Sequence, residues 1–266
     1  MKLTVNGREA YAYTGGKAFD PALPCVVFIH GALHDHTVWT LLARWCAHHG
    51  YSVLAVDLPG HMKSAGPALD SVEAMADWVL ALLDAAEVKQ AALVGHSMGS
   101  LIALEAAGRA PGRVSKLVMV GTAYPMKVSP ALLEMSKNDP LAAIDLVTTL
   151  SYSSIAQKPG YPGPGVWVRG GGKALCRLVL AKQGNDQLYH QDFVACNAYA
   201  GALDAAAKVT APATLILGRR DQMTPPKAAA EIGAALKARV ETVDAGHVLM
   251  AEAPDATLAA LRAALA

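Results

Sequence analysis

The chain has 266 residues, 53% of them hydrophobic and 17% charged, with a formal net charge of +1. This composition supplies a large core and excludes an extended disordered chain, and the length fits one large α/β domain, with or without an insertion. With no basic block and no acidic tail, a nucleic-acid partner is not expected, and no run of about 18 apolar residues is present to span a membrane.

The first residues, MKLTVNGREAYAYTGG, lack an apolar segment followed by a small-residue cleavage site, so no signal peptide is expected. KLTVN and EAYAYTG alternate about a glycine-containing turn and predict an antiparallel hairpin at a sheet edge. CVVFI (25–29), VLAV (53–56), AALV (91–94), LVMV (117–120) and TLIL (214–217) are too continuously apolar for half-exposed strands. They predict strands buried on both faces, as in a parallel sheet. Segments of helical period separate them. In DSVEAMADWVLALLDAAEV, Asp70 is expected to cap the helix with Glu73 as its partner, and Val72, Met75, Val79, Leu82 and Leu83 share one face. Such alternation implies right-handed crossovers and a doubly wound sheet.

The alternation breaks after Val120 and resumes near Thr214. Residues 125–208 are expected to form a mostly helical insertion, leaving 1–124 and 209–266 as the core. Within it, KPGYPGPGVWVRGGGK (158–173) is dominated by glycine and proline, and neither helix nor strand is expected there. Cys25, Cys46, Cys176 and Cys196 have no C-x-x-C spacing. They are expected to be buried free thiols in a reducing compartment, which points to the cytoplasm.

LVGHSMGS (93–100) contains G-x-S-x-G at Gly95, Ser97 and Gly99, between a buried strand and a helix. That context makes Ser97 the candidate nucleophile on a strained turn. A serine nucleophile needs a base, and the base needs an orienting acid. GRRDQMTPP places Asp221 past one strand and DAGHVLM places His247 past another, both at carboxyl ends of strands, where open α/β sheets bind ligands. Rivals are weaker: Asp204 and His190 fall in the insertion, and Asp244 is too near His247. His96 adjoins Ser97 but should face away from it and pack.

The motifs FIHGALHDHTVW (28–39), VDLPGHMKS (56–64), GHSMGS (95–100), GRRDQMTPP (218–226) and GHVLMAEAPD (246–255) resemble those of the α/β-hydrolase superfamily, in its single-domain, lid-bearing branch. The resemblance implies an α/β-hydrolase fold with 125–208 as the lid (cap), Ser97 as nucleophile, His247 as base and then acid, and Asp221 as its orienter. It also implies an oxyanion hole from the N–H of Met98 and that of Ala32, or of Leu33 if the loop turns one residue later. Met62 stands where the family usually has glycine, Ser100 where a second glycine is common, and the loop after His30-Gly31 lacks the family's frequent glycines and proline.

No cofactor and no metal are expected. The cluster His30, His34, Asp35 and His36 lacks the order and downstream ligands of metallohydrolases. Asp57 is expected to bond loop backbone. Of Tyr124, Tyr152, Trp167, Tyr189, Phe193 and Tyr199, two or three should face substrate. The expected activity is a carboxylesterase on small or medium esters, EC 3.1.1. Alternatives are a lactonase, a C–C bond hydrolase, a perhydrolase, or a receptor-like binding protein with little turnover. An anionic substrate would call for a pocket arginine, with Arg169 and Arg177 as candidates.

Overall fold

The computed structural model describes residues 1–153, 167–182 and 184–266. Among these, eight strands form one sheet in the order β1-β2-β4-β3-β5-β6-β7-β8. They are β1 (Lys2–Val5), β2 (Arg8–Tyr13), β3 (Cys25–Ile29), β4 (Ser52–Val56), β5 (Ala91–His96), β6 (Val114–Val120), β7 (Ala213–Gly218) and β8 (Arg239–Val243). β1 and β2 pair antiparallel at one edge, β2 meets β4 antiparallel, and all later pairings are parallel. Every residue of β3, β4, β5 and β7 is buried, as continuous apolar runs require.

The helices are α1 (Thr40–Ala47), α2 (Val72–Ala85), α3 (Met98–Arg109), α4 (Pro130–Asn138), α5 (Pro140–Ser151), α6 (Val168–Lys182), α7 (Leu188–Ala198), α8 (Ala202–Ala206), α9 (Ala230–Ala235), α10 (Leu249–Glu252) and α11 (Pro254–Leu265). Strand period 2 sends alternate side chains to opposite layers. Val27, Ile29, Leu93 and Met119 join the cluster of α2 and α3, while Val26, Phe28, Val94 and Val118 join that of α1 and α11. The sheet is therefore covered on both faces. No described helix is long and apolar enough to cross a membrane.

Two local expectations need correction. The cap of α2 is Ser71, not Asp70: its hydroxyl accepts from the Ala74 N–H, and Glu73 sits inside the first turn. Both residues suit a cap, and one position of register decides between them. The second correction concerns 158–173. Residues 158–166 lie outside the described residues, but Val168–Lys173 are the start of α6. A Cβ on Gly172 would lie 2.2 Å from the Tyr152 Oη. Close packing against Tyr152 thus calls for glycine there, and tertiary contact overrides its poor helix propensity.

Between β6 and β7 the described residues form α4 to α8. Leu132, Ala143, Ile144, Val179, Leu188 and Tyr189 build a cluster there, and Leu33 from the loop after β3 belongs to it.

Candidate active site

β5 ends at His96 and α3 begins at Met98, so Ser97 alone makes the turn, with φ +52° and ψ −119°. A non-glycine residue in that region is strained by about 1–3 kcal/mol and must be held by its surroundings. The Ser97 N–H donates to the Val120 carbonyl at 2.9 Å. Ser100 donates its hydroxyl to the Ser97 carbonyl at 2.5 Å and pairs with the Thr122 hydroxyl at 2.7 Å. The serine that replaces a common glycine therefore braces the turn. Gly95 and Gly99 are dictated by contact: a Cβ on Gly95 would lie 2.0 Å from the Gly99 carbonyl oxygen, and one on Gly99 2.3 Å from that of Ile29.

His247 follows β8 and is buried at the same end of the sheet. Its Nδ1 donates to Asp221 Oδ2 at 2.8 Å. Its N–H donates to the Ser151 carbonyl at 2.7 Å, and its carbonyl accepts from His96 Nε2 at 2.9 Å. Asp221 is fixed in turn. Oδ1 accepts from the N–H groups of Met223 and Thr224, both at 2.8 Å, and Oδ2 from the Thr224 hydroxyl at 2.7 Å. Burial pushes the Asp221 carboxyl up, but His247 and these donors outweigh it and hold it below the ordinary carboxylate value. Asp221 thus stays ionised against the imidazole and selects the tautomer whose Nε2 is free for proton transfer.

Ser97 and His247 line one cavity of about 40 Å³. No hydrogen bond joins the Ser97 hydroxyl to the imidazole in this conformation; such bonds often form only with substrate in place. Val147, Tyr152, Cys176, Tyr189, Phe193 and Val248 make its apolar wall, and Ala32, His34, His96, Thr148, Ser151, Gly172 and Met223 complete it. Three of the six singled-out aromatics are therefore at the site. Burial pushes the Cys176 thiol up to about 12, so it stays protonated and is wall, not nucleophile. A second cavity of about 280 Å³ adjoins, sharing His34, Tyr152, Gly172 and Val248 and adding Val38, Leu41, Leu175 and Met250.

The Leu33 N–H is taken by Asp192 Oδ2 at 2.9 Å. Its neighbour Ala32 lines the cavity. The rivals are committed elsewhere. Asp244 pairs with Arg220 at 3.0 Å on the surface, Asp204 lies in α8, and His190 bonds Ser136 and Leu133 within the inserted helices. Arg169 bonds the Thr149 hydroxyl, Arg177 lies 3.7 Å from Asp145, and neither lines the cavity. Asp57 accepts from the N–H groups of His36 and Lys63, the structural use expected. Asp35, His36 and Asp57 are the described residues whose donor atoms converge, within 4.8 Å. His36 Nδ1 is bonded to Asp57 at 2.7 Å, and Asp35 caps the turn at Thr37, so both are already used structurally. Sequence reasoning missed Thr224, Ser151 and Asp192; their motifs carry no signal of these contacts.

Three histidines here are held neutral. Burial lowers His30 and His96 well below the ordinary imidazole value, each further lowered by a neighbouring histidine. Burial and then His247 lower His34 to about 4. Their unfolded forms protonate first, so their contribution to stability is complete above about pH 6.5 and is lost as pH falls toward the folded values. His34, partly open to the cavity, accounts for up to about 2 kcal/mol between pH 7 and 5. A thermal midpoint lower by about 4–8 °C or more at pH 5 than at pH 7 is expected; an unchanged midpoint would refute it. His61 has the opposite sign: its raised value makes its contribution full below about pH 6.5 and progressively lost as pH rises above that, so it offsets part of the histidine effect.

Comparison with known proteins agrees with this fold. The chain is 37% identical over 131 residues to the dihydrolipoyllysine-residue acetyltransferase component of the acetoin cleaving system of Pseudomonas putida, a match covering 46% of this chain and 32% of that protein. The chain spans about a third of the length of the curated relatives it matches first. Its fold superposes on the enol-lactonase of Burkholderia xenovorans LB400 with a TM-score of 0.85 at 23% identity, covering 100% of this chain and 99% of that one. It superposes on an esterase of Exiguobacterium antarcticum with a TM-score of 0.84 at 20% identity, covering 99% and 98%. A model described as the alpha/beta hydrolase family matches residues 26–261. With its sheet order and its strained serine turn, the chain belongs to the alpha/beta hydrolase family.

Proposed function

We propose that this protein is a cofactor-free serine hydrolase that cleaves carboxylic esters of short acyl groups through an acyl-enzyme on Ser97. The observation that carries this reading is the Asp221–His247 pair, bonded at 2.8 Å, opening on the same small cavity as the strained Ser97. Ser97 Oγ attacks the carbonyl carbon as its proton passes to His247 Nε2. The tetrahedral oxyanion is held by the Ala32 and Met98 N–H groups, the latter at the positive end of α3. Collapse expels the alcohol, which takes the proton from His247. Water then enters, loses a proton to His247 and releases the acid, restoring Ser97.

Substrate size follows from volume. One water needs about 10–15 Å³ by this measure, so the inner cavity holds roughly three waters, the scale of a short acyl chain. The adjoining apolar cavity suits a larger alcohol. Among the described residues no arginine or lysine lines either cavity, which favours neutral esters over the acidic substrates of C–C bond hydrolases. Helices α4 to α8 act as the lid, and the four buried free cysteines fit a reducing cytoplasm. In a p-nitrophenyl ester series, kcat/KM is expected to fall at least about 10-fold from butyrate to octanoate, since the longer acyl chain must displace wall side chains. A preference for octanoate contradicts the size assignment, and no turnover of any ester contradicts the activity.

A further inference from the structure

The loop that carries Ala32 is held from the insertion as well as from the end of β3, where the Gly31 carbonyl accepts from His30 Nδ1 at 2.8 Å and from the His34 N–H at 3.3 Å. Leu33 has φ +51°, a left-handed conformation for a branched residue. Its fully buried side chain belongs to the core of the inserted helices. Its N–H donates to Asp192 on α7, a residue with no exposure. A carboxylate without contact to water is costly unless paired, and its partner is His61, whose Nε2 donates to the same Oδ2 at 3.1 Å. The His61 Nδ1 lies 3.1 Å from the Pro59 carbonyl. Both ring nitrogens therefore face acceptors, which requires a proton on each and makes His61 an imidazolium. Of the titratable groups around it, His30, with ring centroids 4.8 Å away, is neutral: its Nε2 accepts from the Leu58 N–H. His34 is neutral too, and Asp57 adds a weaker attraction.

We propose that Asp192, with His61 as its counter-ion, is a positioning residue for the oxyanion hole: by holding the Leu33 N–H it fixes the Ala32–Leu33 peptide on one side of Ala32, and so acts through the Ala32 backbone on the preceding peptide, whose N–H faces the reacting carbonyl. This rests on the serine hydrolase reading. The inserted helices then complete the catalytic site as well as cover it, and any opening of the lid that carries α7 away also disables the oxyanion hole.

The test uses Asp192→Leu in the full chain, with Asp192→Asn as the conservative variant whose amide oxygen can still accept from the Leu33 N–H, and kcat, KM and thermal midpoint measured on p-nitrophenyl acetate. A displaced oxyanion donor lowers kcat by about 10–100-fold and leaves KM within about threefold, because only the transition state loses a bond. The rate of inactivation by a fluorophosphonate falls in parallel. A folded Asp192→Leu protein with kcat within twofold of wild type, or with its loss wholly in KM, overturns the proposal. If Asp192→Leu does not fold, His61→Gln decides. It leaves Asp192 a neutral donor, and a kcat reduced about 3–10-fold at constant KM supports the positioning role; an unchanged kcat overturns it. Wild-type protein that turns over no ester overturns the hydrolase reading itself and takes this role with it. Active wild type with unaffected variants overturns this role alone.

Discussion

Ser97→Ala is expected to lower kcat on a short-chain p-nitrophenyl ester by about 10⁴–10⁶-fold while leaving the fold intact. By the proposed mechanism the covalent route is lost outright, and only the proposed donors of Ala32 and Met98 and simple binding remain. The substitution is structurally mild. Alanine meets the same backbone strain at φ +52° as serine, and the Ser97 hydroxyl supports no other residue. The turn is held instead by the Ser97 N–H, its carbonyl and Ser100. A thermal midpoint within about 2 °C of wild type should accompany the loss. Adding His247→Ala should change little further, because nucleophile and base act as one unit. Stepwise, multiplicative losses would show that the two residues work independently.

The second large effect is on stability. Gly95→Ala is expected to cost about 3 kcal/mol or more, because its Cβ would meet the Gly99 carbonyl oxygen at 2.0 Å and the Ser100 nitrogen at 2.6 Å. These are backbone atoms of the elbow and of α3, so relief requires separating strand from helix. That separation would also move Ser97 and the Met98 N–H, so activity should fall with stability. Gly112→Ala is the control, since nothing lies within 4 Å of its added Cβ. Urea unfolding of both variants measures the difference. A Gly95→Ala protein as stable as Gly112→Ala would mean that the elbow is not packed as described.

Much of this was legible in the sequence where one physical cause acts locally. A strand covered on both faces must be apolar at every position, and β3, β4, β5 and β7 read that way from their letters alone. The elbow was legible because two backbone contacts demand glycine on either side of Ser97. Asp221 and His247 were legible because the order of strands brings their ends to one rim. What stayed hidden depends on contacts between distant segments. Asp192 lies 159 positions from the Leu33 N–H it accepts from, and nothing in its helix distinguishes it from a surface acid. That one bond also occupies the Leu33 N–H, which the sequence offered beside that of Ala32 as a loop donor. Ser151 acts through its carbonyl, which every residue possesses. The glycine-rich start of α6 misled because propensity reports an isolated helix, whereas Gly172 answers to Tyr152.

The central claim is that Ser97, activated by His247, is the nucleophile. Intact-protein mass spectrometry with peptide mapping after treatment with a fluorophosphonate tests it most directly. One adduct per chain is expected, located on Ser97, formed in step with loss of esterase activity, absent from Ser97→Ala and strongly slowed in His247→Ala. An adduct elsewhere, or full loss of activity with Ser97 unmodified, would contradict the assignment.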